Sequence, residues 1–135
     1  MANPEHIKIL KQGVEAWNEW RAENPWILPE LEGAALTNAD LGGAVLTEAD
    51  LGRANLSEAN LRGTDFGGAT LSGANLFGAD LGGADLGEAN LNGAILSRAF
   101  LDNSDFTNTW VGFTVFGDND LSTVKGLVRA RHGGP

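Results

Sequence analysis

The amino-acid sequence predicts an all-β solenoid, a fold in which short chain segments stack in successive coils. Leucine or a near-equivalent recurs every five residues, without a slip, from residue 31 to residue 121. These 19 repeat centres are 15 Leu together with Phe66, Phe106, Phe116 and Val111. The residue two positions before a centre is usually small, and it is Ala at 13 of the 19 places. Of the 19 Gly residues, 15 occupy the two positions after a centre.

A spacing of five fits neither one long helix nor one long strand. An amphipathic helix places its apolar residues about 3.6 apart, and a half-buried strand places them two apart. Within a repeat, Ala and Leu are two residues apart and project to the same side, which we expect to be the interior. The Asp or Asn between them then faces water. The two remaining positions form a corner, where glycine reaches positive φ without steric cost.

Residues 1–30 are predicted to form an N-terminal capping helix and a linker. Asn3 suits the N-cap of a helix over residues 3–22, which carries an apolar stripe. An open solenoid end exposes unpaired backbone, so we expect this stripe to cover the first coil. The predicted capping residues are Trp17, Trp20 and Trp26. The alternatives are a partner-binding helix and a membrane-surface helix, although the latter favours a basic polar face that this segment lacks.

The repeat pattern changes toward its C-terminal end. The outward position, normally Asp or Asn, becomes apolar in four repeats, and two corner positions carry Phe. These candidate interaction residues are Phe77, Ile95, Phe100, Trp110, Phe113 and Val115. Clustered apolar side chains that face water mark a contact surface, so we expect them to bind a protein partner or a second copy of the chain, giving a homodimer. The alternative is that the basic tail, residues 122–135, folds back over them.

Charge is distributed unevenly along the chain. Residues 1–30 hold five acidic and three basic groups, residues 31–121 hold 13 and three, and residues 122–135 hold three basic groups and no acid. The formal net charge is −9, which argues against direct binding of nucleic acid, because that affinity depends on cations that neutralise phosphates. The candidate acidic surface consists of Asp40, Asp65, Asp80, Asp85 and Asp105. This surface either keeps a repetitive rod soluble or imitates the charge of DNA.

The repeats Ala39-Asp40-Leu41-Gly42-Gly43, Ala59-Asn60-Leu61-Arg62-Gly63 and Ala79-Asp80-Leu81-Gly82-Gly83 resemble those of bacterial pentapeptide repeat proteins. The resemblance covers residues 31–121 and implies a right-handed quadrilateral parallel β-helix with four repeats in each of nearly five coils. Some members of that family mimic DNA and bind DNA gyrase, protecting it from quinolones, so the resemblance implies this alternative function. Residues 124–133 are similar to segments that follow such repeats in larger modular proteins, where an effector domain comes next in some cases.

Other classes of function find little support in the sequence. Cysteine is absent, His occurs twice, and no side chains stand in a catalytic or metal-binding pattern. We therefore expect no enzyme activity, no cofactor and no metal site. The sequence has no run of about 20 apolar residues that would span a membrane. Its first residues do not resemble a secretory signal, so a cytoplasmic protein is expected. The predicted function is that of a rigid acidic rod, built from a cap (1–30), a β-helix (31–121) and a basic tail (122–135), that docks a partner through its C-terminal coil.

Overall fold

The structure is a computed structural model that describes residues 1–132. Its helices are α1 (Pro4–Lys11), α2 (Val14–Glu23) and a short 3-10 helix (Leu127–Arg129). Between α2 and the 3-10 helix, the chain pairs with itself through isolated parallel bridges. Two positions of each regular repeat form a turn, so only one residue of a repeat takes part in a bridge. The described repeats therefore stack as a solenoid, as predicted, but without strands longer than one paired residue.

The bridges define a coil of 20 residues, because Glu30 pairs with Asp50 and Asp50 with Thr70. Four repeats thus complete one coil, and the solenoid has four sides. We name each side by the residues that face outward from it in successive coils. Side A carries Glu30, Asp50, Thr70, Asn90 and Trp110; side B carries Ala35, Asn55, Asn75, Ile95 and Val115; side C carries Asp40, Asn60, Asp80 and Phe100; side D carries Val45, Asp65, Asp85, Asp105 and Lys125.

The interior is filled by the repeat centres and by the small residues that precede them. Leu81 is fully buried, and so are Phe66 and Phe106, the two large centres behind side D. A few polar residues replace Ala inside, and their hydroxyl groups donate hydrogen bonds to backbone carbonyls. Thr64 Oγ1, for example, donates to the Leu41 carbonyl at 2.8 Å. These substitutions therefore bury a polar group without leaving it unpaired.

The second corner position of each regular repeat has a positive φ, whether or not the residue is glycine. Gly63 has a φ of 66°, while Glu58, Arg98 and Phe113 have φ values of 58°, 61° and 56°. The left-handed backbone costs a residue with a Cβ roughly 1–2 kcal/mol. The glycine preference in the sequence therefore marks the correct position of the corner, and the other residues there are held by the stacking of neighbouring coils.

Regular stacking continues to Gly117, whose carbonyl accepts the Arg98 N–H at 2.8 Å as in the preceding coils, and ends there. Among residues 1–132, Phe100 has no bridge to the residue 20 positions later, because residues 118–120 leave side C. Phe116 and Leu121, which were predicted to be buried centres, are each 37% exposed. This part of the prediction is wrong. The five-residue spacing continues in the sequence, but no further coil lies above these two residues to bury them.

The side chain of Asn119 hydrogen-bonds to backbone carbonyls at the edge where the chain leaves side C. Its Nδ2 donates to the carbonyls of Leu96 and Ala99 at 2.8 and 2.9 Å. In the regular coils, the carbonyl equivalent to that of Ala99 accepts from a backbone N–H one coil later, as Ala79 does from Phe100. The amide of Asn119 therefore replaces the backbone donor where the ladder stops.

The basic tail rejoins the solenoid on two sides. Lys125 pairs with Asp105 on side D, and Arg131 pairs with Trp110 on side A, one residue beyond the regular separation of 20. The 3-10 helix between them takes up the additional residue. Gly126 is required before it, because at its φ of 75° a Cβ would lie 2.6 Å from the backbone nitrogen of Thr107. The last predicted tail residues, 133–135, lie outside the described part of the chain.

Helices α1 and α2 lie against the N-terminal end of the solenoid. The predicted single helix over 3–22 is divided in two, because Gly13 has a φ of 113° and a ψ of 163°, which no helix accommodates. Trp17 is fully buried, and its Nε1 donates to the Val45 carbonyl at 2.8 Å. Asn18 Oδ1 accepts the Val45 N–H at 2.8 Å. These two side chains thus replace the coil that is missing below side D.

The other two predicted capping residues differ in their surroundings. Trp20 is partly buried and packs beside Trp17, with ring centroids 5.1 Å apart. Trp26 is 76% exposed, so its predicted role in the cap is wrong. It follows Pro25 in the linker after α2, beyond the helical spacing that directs apolar residues toward the first coil.

Candidate interaction surfaces

The apolar candidates of the C-terminal half all reach solvent, with exposed fractions between 37% and 79%. Ile95 and Val115 are neighbours on side B and form a parallel bridge with each other. Phe113 precedes Val115 at the corner between sides A and B, and Phe77 occupies the corner between sides B and C. These four residues therefore lie on or beside one side of the solenoid. We call this group the side-B apolar surface.

The other two candidates point elsewhere. Phe100 lies on side C and is 62% exposed, and Trp110 lies on side A and is 37% exposed. The guanidinium of Arg131 lies 5.0 Å from the centre of the Trp110 ring, which is a cation–π contact. The tail therefore covers Trp110 in part. As far as residue 132, the bridges of the tail lie on sides A and D, so this part of the tail leaves the side-B apolar surface open.

Phe113 combines high exposure with an unfavourable backbone. It is 79% exposed, and its φ of 56° is rare for a bulky residue. Glycine occupies the equivalent corner position in the preceding coil, Gly93, with a φ of 71°. Neither packing nor backbone geometry thus requires an aromatic residue here. Residues held in sparsely populated backbone regions concentrate at functional sites, where the strain is tolerated for another purpose.

The acidic candidates of side D form a column but also have a structural role. Asp65, Asp85 and Asp105 are linked by successive parallel bridges, which place them about 4.8 Å apart. Each carboxylate accepts the backbone N–H two residues later, at 2.9, 2.8 and 2.9 Å. Such bonds stabilise the turn that follows an Asp or Asn. The acids of this column therefore support the corners of the coil.

Asp105 has the most strongly bound carboxylate of this column. Thr107 donates to it from its hydroxyl at 2.6 Å as well as from its backbone N–H. These hydrogen bonds, with a smaller effect from the positive charge of Lys125, hold the pKa of the Asp105 carboxyl below its usual value. The C-terminal end of the column is thus tied to its own turn and to the basic tail.

The acids of side C are partly neutralised. Arg62 Nη1 lies 3.1 Å from a carboxylate oxygen of Asp80, and its Nη2 lies 3.5 Å from Asp102. Asp40 accepts a hydrogen bond from Asn60 Nδ2 at 2.9 Å. The five predicted acidic residues are therefore divided between two sides, and only side D presents a continuous column.

Glycine corners beside side D leave an open groove with a volume of about 460 Å³. Glu48 and Glu88 stand on either side of Gly68 along it, and Asp85 and Asp105 form its other wall. Within residues 1–132, no three His, Cys, Asp or Glu side chains are placed to hold a metal ion. The groove is thus an acidic surface without a metal-binding arrangement in the described chain.

The repeats of this chain match those of a known protein family. The family described as pentapeptide repeats matches in 8 copies, over residues 30–68, 54–93 and 69–108, which together span more than half of the chain. The chain belongs to the pentapeptide repeat family. The resemblance seen in the repeat sequences is therefore confirmed.

Solved structures of pentapeptide repeat proteins are similar to this one. A protein from Nostoc Pcc 7120 is 41% identical, with a TM-score of 0.62, over 74% of this chain and 82% of its own. The protein Rfr23 from the cyanobacterium Cyanothece 51142 is 36% identical, with a TM-score of 0.55, over 72% of this chain and 63% of its own. A protein from the thylakoid lumen of Arabidopsis thaliana is 33% identical, with a TM-score of 0.48, over 70% and 66%.

This pentapeptide repeat protein thus aligns with less than two thirds of the length of the Cyanothece and Arabidopsis proteins. No protein of curated function matches the chain. Over residues 1–132, none of the helices has the length and apolar character that a membrane crossing needs.

Two features of the surface were missed by sequence reasoning. The Asp and Asn residues were expected only to face water, whereas they also accept backbone hydrogen bonds at the corners, as Asp50 does from Gly52 at 3.0 Å. Their fixed place just before the corner is the signal that could have shown this. The exposure of Leu28, at 52%, was also missed. It lies between proline residues, where neither a helix nor a coil determines which way a side chain points.

Proposed function

We propose that this pentapeptide repeat protein is a non-catalytic interaction module that binds another protein through its C-terminal apolar residues. The exposed, backbone-strained Phe113 is the observation that carries the proposal. Burial of a Phe side chain contributes about 1.5–3 kcal/mol, and aromatic residues dominate the energy of many interfaces. Because the chain carries a net charge of −9, the apolar residues offer a partner a region where few charges must be desolvated. We also propose that the coil is right-handed, as the family resemblance implies, and that the protein acts in the cytoplasm.

The alternative function, imitation of DNA toward gyrase or a related topoisomerase, is supported by one feature. The side-D column stacks carboxylates at a regular spacing of about 4.8 Å, beside Glu48 and Glu88. Two observations favour the interaction module instead. The carboxylates of side D accept hydrogen bonds from their own turns, and the positive Lys125 lies at the end of the column. A DNA mimic presents a continuous row of exposed negative charges. The hydrogen bonds give the side-D carboxylates a structural role of their own, and Lys125 ends their row with a positive charge.

Site-specific photo-crosslinking in living cells distinguishes the two functions. A benzoylphenylalanine at position 113 is expected to crosslink to a protein, and the same group at position 88 is expected not to. Glu88 is the matched control, since it is exposed, occupies the same corner position with a φ of 61°, and lies beside the acidic side D. Crosslinks from position 88 and none from position 113 would contradict the proposal and favour DNA mimicry.

A supercoiling assay with purified gyrase tests the alternative directly. At concentrations of tens of micromolar, the interaction module is expected neither to inhibit supercoiling nor to relieve quinolone poisoning. Inhibition that is lost on replacing Asp85 with Asn would establish the mimic instead, because that change removes one charge from the middle of the column and keeps an acceptor for the Gly87 N–H.

A further inference from the structure

Side B differs from the other three sides in charge. Its outward residues Ala35, Asn55, Asn75, Ile95 and Val115 include no charged side chain. Side A carries two acidic groups, side C two and side D three in the same positions. For a chain with a net charge of −9, side B is therefore the surface where a second copy meets the least repulsion.

The corners that flank side B carry both projecting aromatic side chains and an open glycine position. Phe113 projects from the corner toward side A at the C-terminal end, and Gly33 occupies the same corner at the N-terminal end. Nothing lies within 4 Å of the place where a Cβ of Gly33 would be. On the opposite corner, Phe77 lies in the middle coil and is 38% exposed. An aromatic side chain at one end thus faces an open position when two copies run in opposite directions.

Two charged residues on that opposite corner also suit an antiparallel pair. Glu58 and Arg98 lie one coil to either side of Phe77's coil, both at the second corner position. Glu58 has no cation within ion-pair distance among the described residues. Arg98 is 68% exposed, and its contact with Asp118 is long, at 3.7 Å. Both groups are therefore available to a partner.

We propose that two copies of this chain pack antiparallel through side B. The two-fold axis lies in the plane of the contact, perpendicular to the solenoid axis, at the level of Asn75. This inference rests on the proposed function and names its partner as a second copy. In this arrangement Phe77 of each copy meets Phe77 of the other. Arg98 of each copy faces Glu58 of the other, and Phe113 of each copy covers Gly33 of the other. The register brings no two like charges of this corner together.

The size of the contact sets its strength. Five stacked levels at about 4.8 Å give a length of roughly 24 Å, and three extended residues at about 3.3 Å give a width of roughly 10 Å. With the flanking corners, each copy buries on the order of 300–400 Å², about half of the ~800 Å² per partner in a standard interface. An interface of this size is typical of weak, transient association, so the dimer is expected to form only at high protein concentration.

Sedimentation velocity between about 10 µM and 1 mM measures this association. The wild-type chain is expected to shift from monomer to dimer over that range. Arg98→Glu and Glu58→Arg are each expected to weaken association at least tenfold, because each places like charges opposite one another. The double variant Arg98→Glu/Glu58→Arg restores the opposite charges and is expected to associate like the wild type.

Glu88→Arg is the control for Glu58→Arg. It makes the same change in net charge at an equivalent corner with a similar φ, but beside side D. It is expected to leave dimerisation unchanged or slightly stronger, and melting curves of all variants show whether they fold. A dimer that persists in both single variants, or a double variant that stays monomeric while folded, overturns the antiparallel register.

The photo-crosslink at position 113 separates this inference from the proposed function. A chain that stays monomeric at 1 mM while position 113 crosslinks to a different protein refutes the side-B dimer and leaves the interaction module standing. A monomeric chain without any crosslink from position 113 refutes both. A dimer that is lost on Phe100→Asp but not on Phe77→Asp would place the contact on side C and also refute the proposed register.

Discussion

Replacing Leu81 with Ala tests the stacked interior most directly. Leu81 is fully buried, with Leu61 and Leu101 as the centres of the adjacent coils on the same side. Removal of a buried leucine side chain in favour of Ala costs about 2–5 kcal/mol, and the cost rises with the cavity that remains. The neighbouring coils are fixed by backbone hydrogen bonds, such as that from the Leu81 N–H to the Phe100 carbonyl at 2.7 Å, so they collapse little into the space. We therefore expect a loss of about 3–4 kcal/mol.

Leu121→Ala is the matched control, because Leu121 continues the same five-residue spacing but is 37% exposed. Because more than a third of Leu121 is already in water, its truncation is expected to cost about 1 kcal/mol or less. For a domain of this size, roughly 3–5 °C of melting temperature accompany each kcal/mol. Thermal unfolding followed by circular dichroism should thus show a fall of about 10 °C or more for Leu81→Ala and a small change for Leu121→Ala. Equal shifts, or an unchanged melting curve for Leu81→Ala, would refute the buried ladder.

Three further changes test the turn, the cap and the strained corner. Because hydrogen bonds lower the pKa of Asp105, its stabilisation is present above about pH 4 and lost as the pH falls through that lowered pKa. The melting temperature of Asp105→Asn should therefore lie below that of the wild type at pH 7, and the difference should narrow as the pH is lowered below about 4. Asn18→Leu leaves the Val45 N–H without its acceptor, so urea unfolding should show a loss of about 1–3 kcal/mol, and an unchanged midpoint would contradict the cap. Phe113→Gly relieves a left-handed backbone and should leave the chain at least as stable as the wild type, while the protein crosslinked from position 113 no longer co-purifies with it, whereas Asn108→Gly should leave the co-purification unchanged.

The repeat centres and the corners could be predicted from the sequence because one physical requirement fixes each of them. A centre such as Leu81 must be apolar, since every coil buries it against the next. A second corner position must tolerate a positive φ, as at Gly63, so glycine accumulates there. Neither requirement depends on how many coils there are. The same spacing therefore continues through Phe116 and Leu121, where the coil has already ended and the prediction of burial is wrong.

The surface was less predictable, because several physical causes favour the same residue types there. An Asp before a corner serves the turn, the solubility of the rod and its anionic field at once, as Asp85 does. The apolar candidates were found from their positions within the repeat, but their distribution over three sides follows from the 20-residue coil. Trp26 was mispredicted for a different reason. It lies in a linker between prolines, where no periodic pattern indicates which way a side chain points, and it lies in solvent instead of in the cap.

Departures from the repeat therefore carry more information about function than the repeat itself. The stacked interior accounts for Leu and Ala, and the turns account for Asp, Asn and Gly. Phe113 is accounted for by neither, since it is 79% exposed at a corner where the preceding coil has Gly93. Exposed Glu88 has a similar φ, so the backbone conformation alone does not mark a contact, and the exposed aromatic ring is what distinguishes Phe113. Under the proposed function, contact with another protein buries that ring while the strained backbone stays as it is.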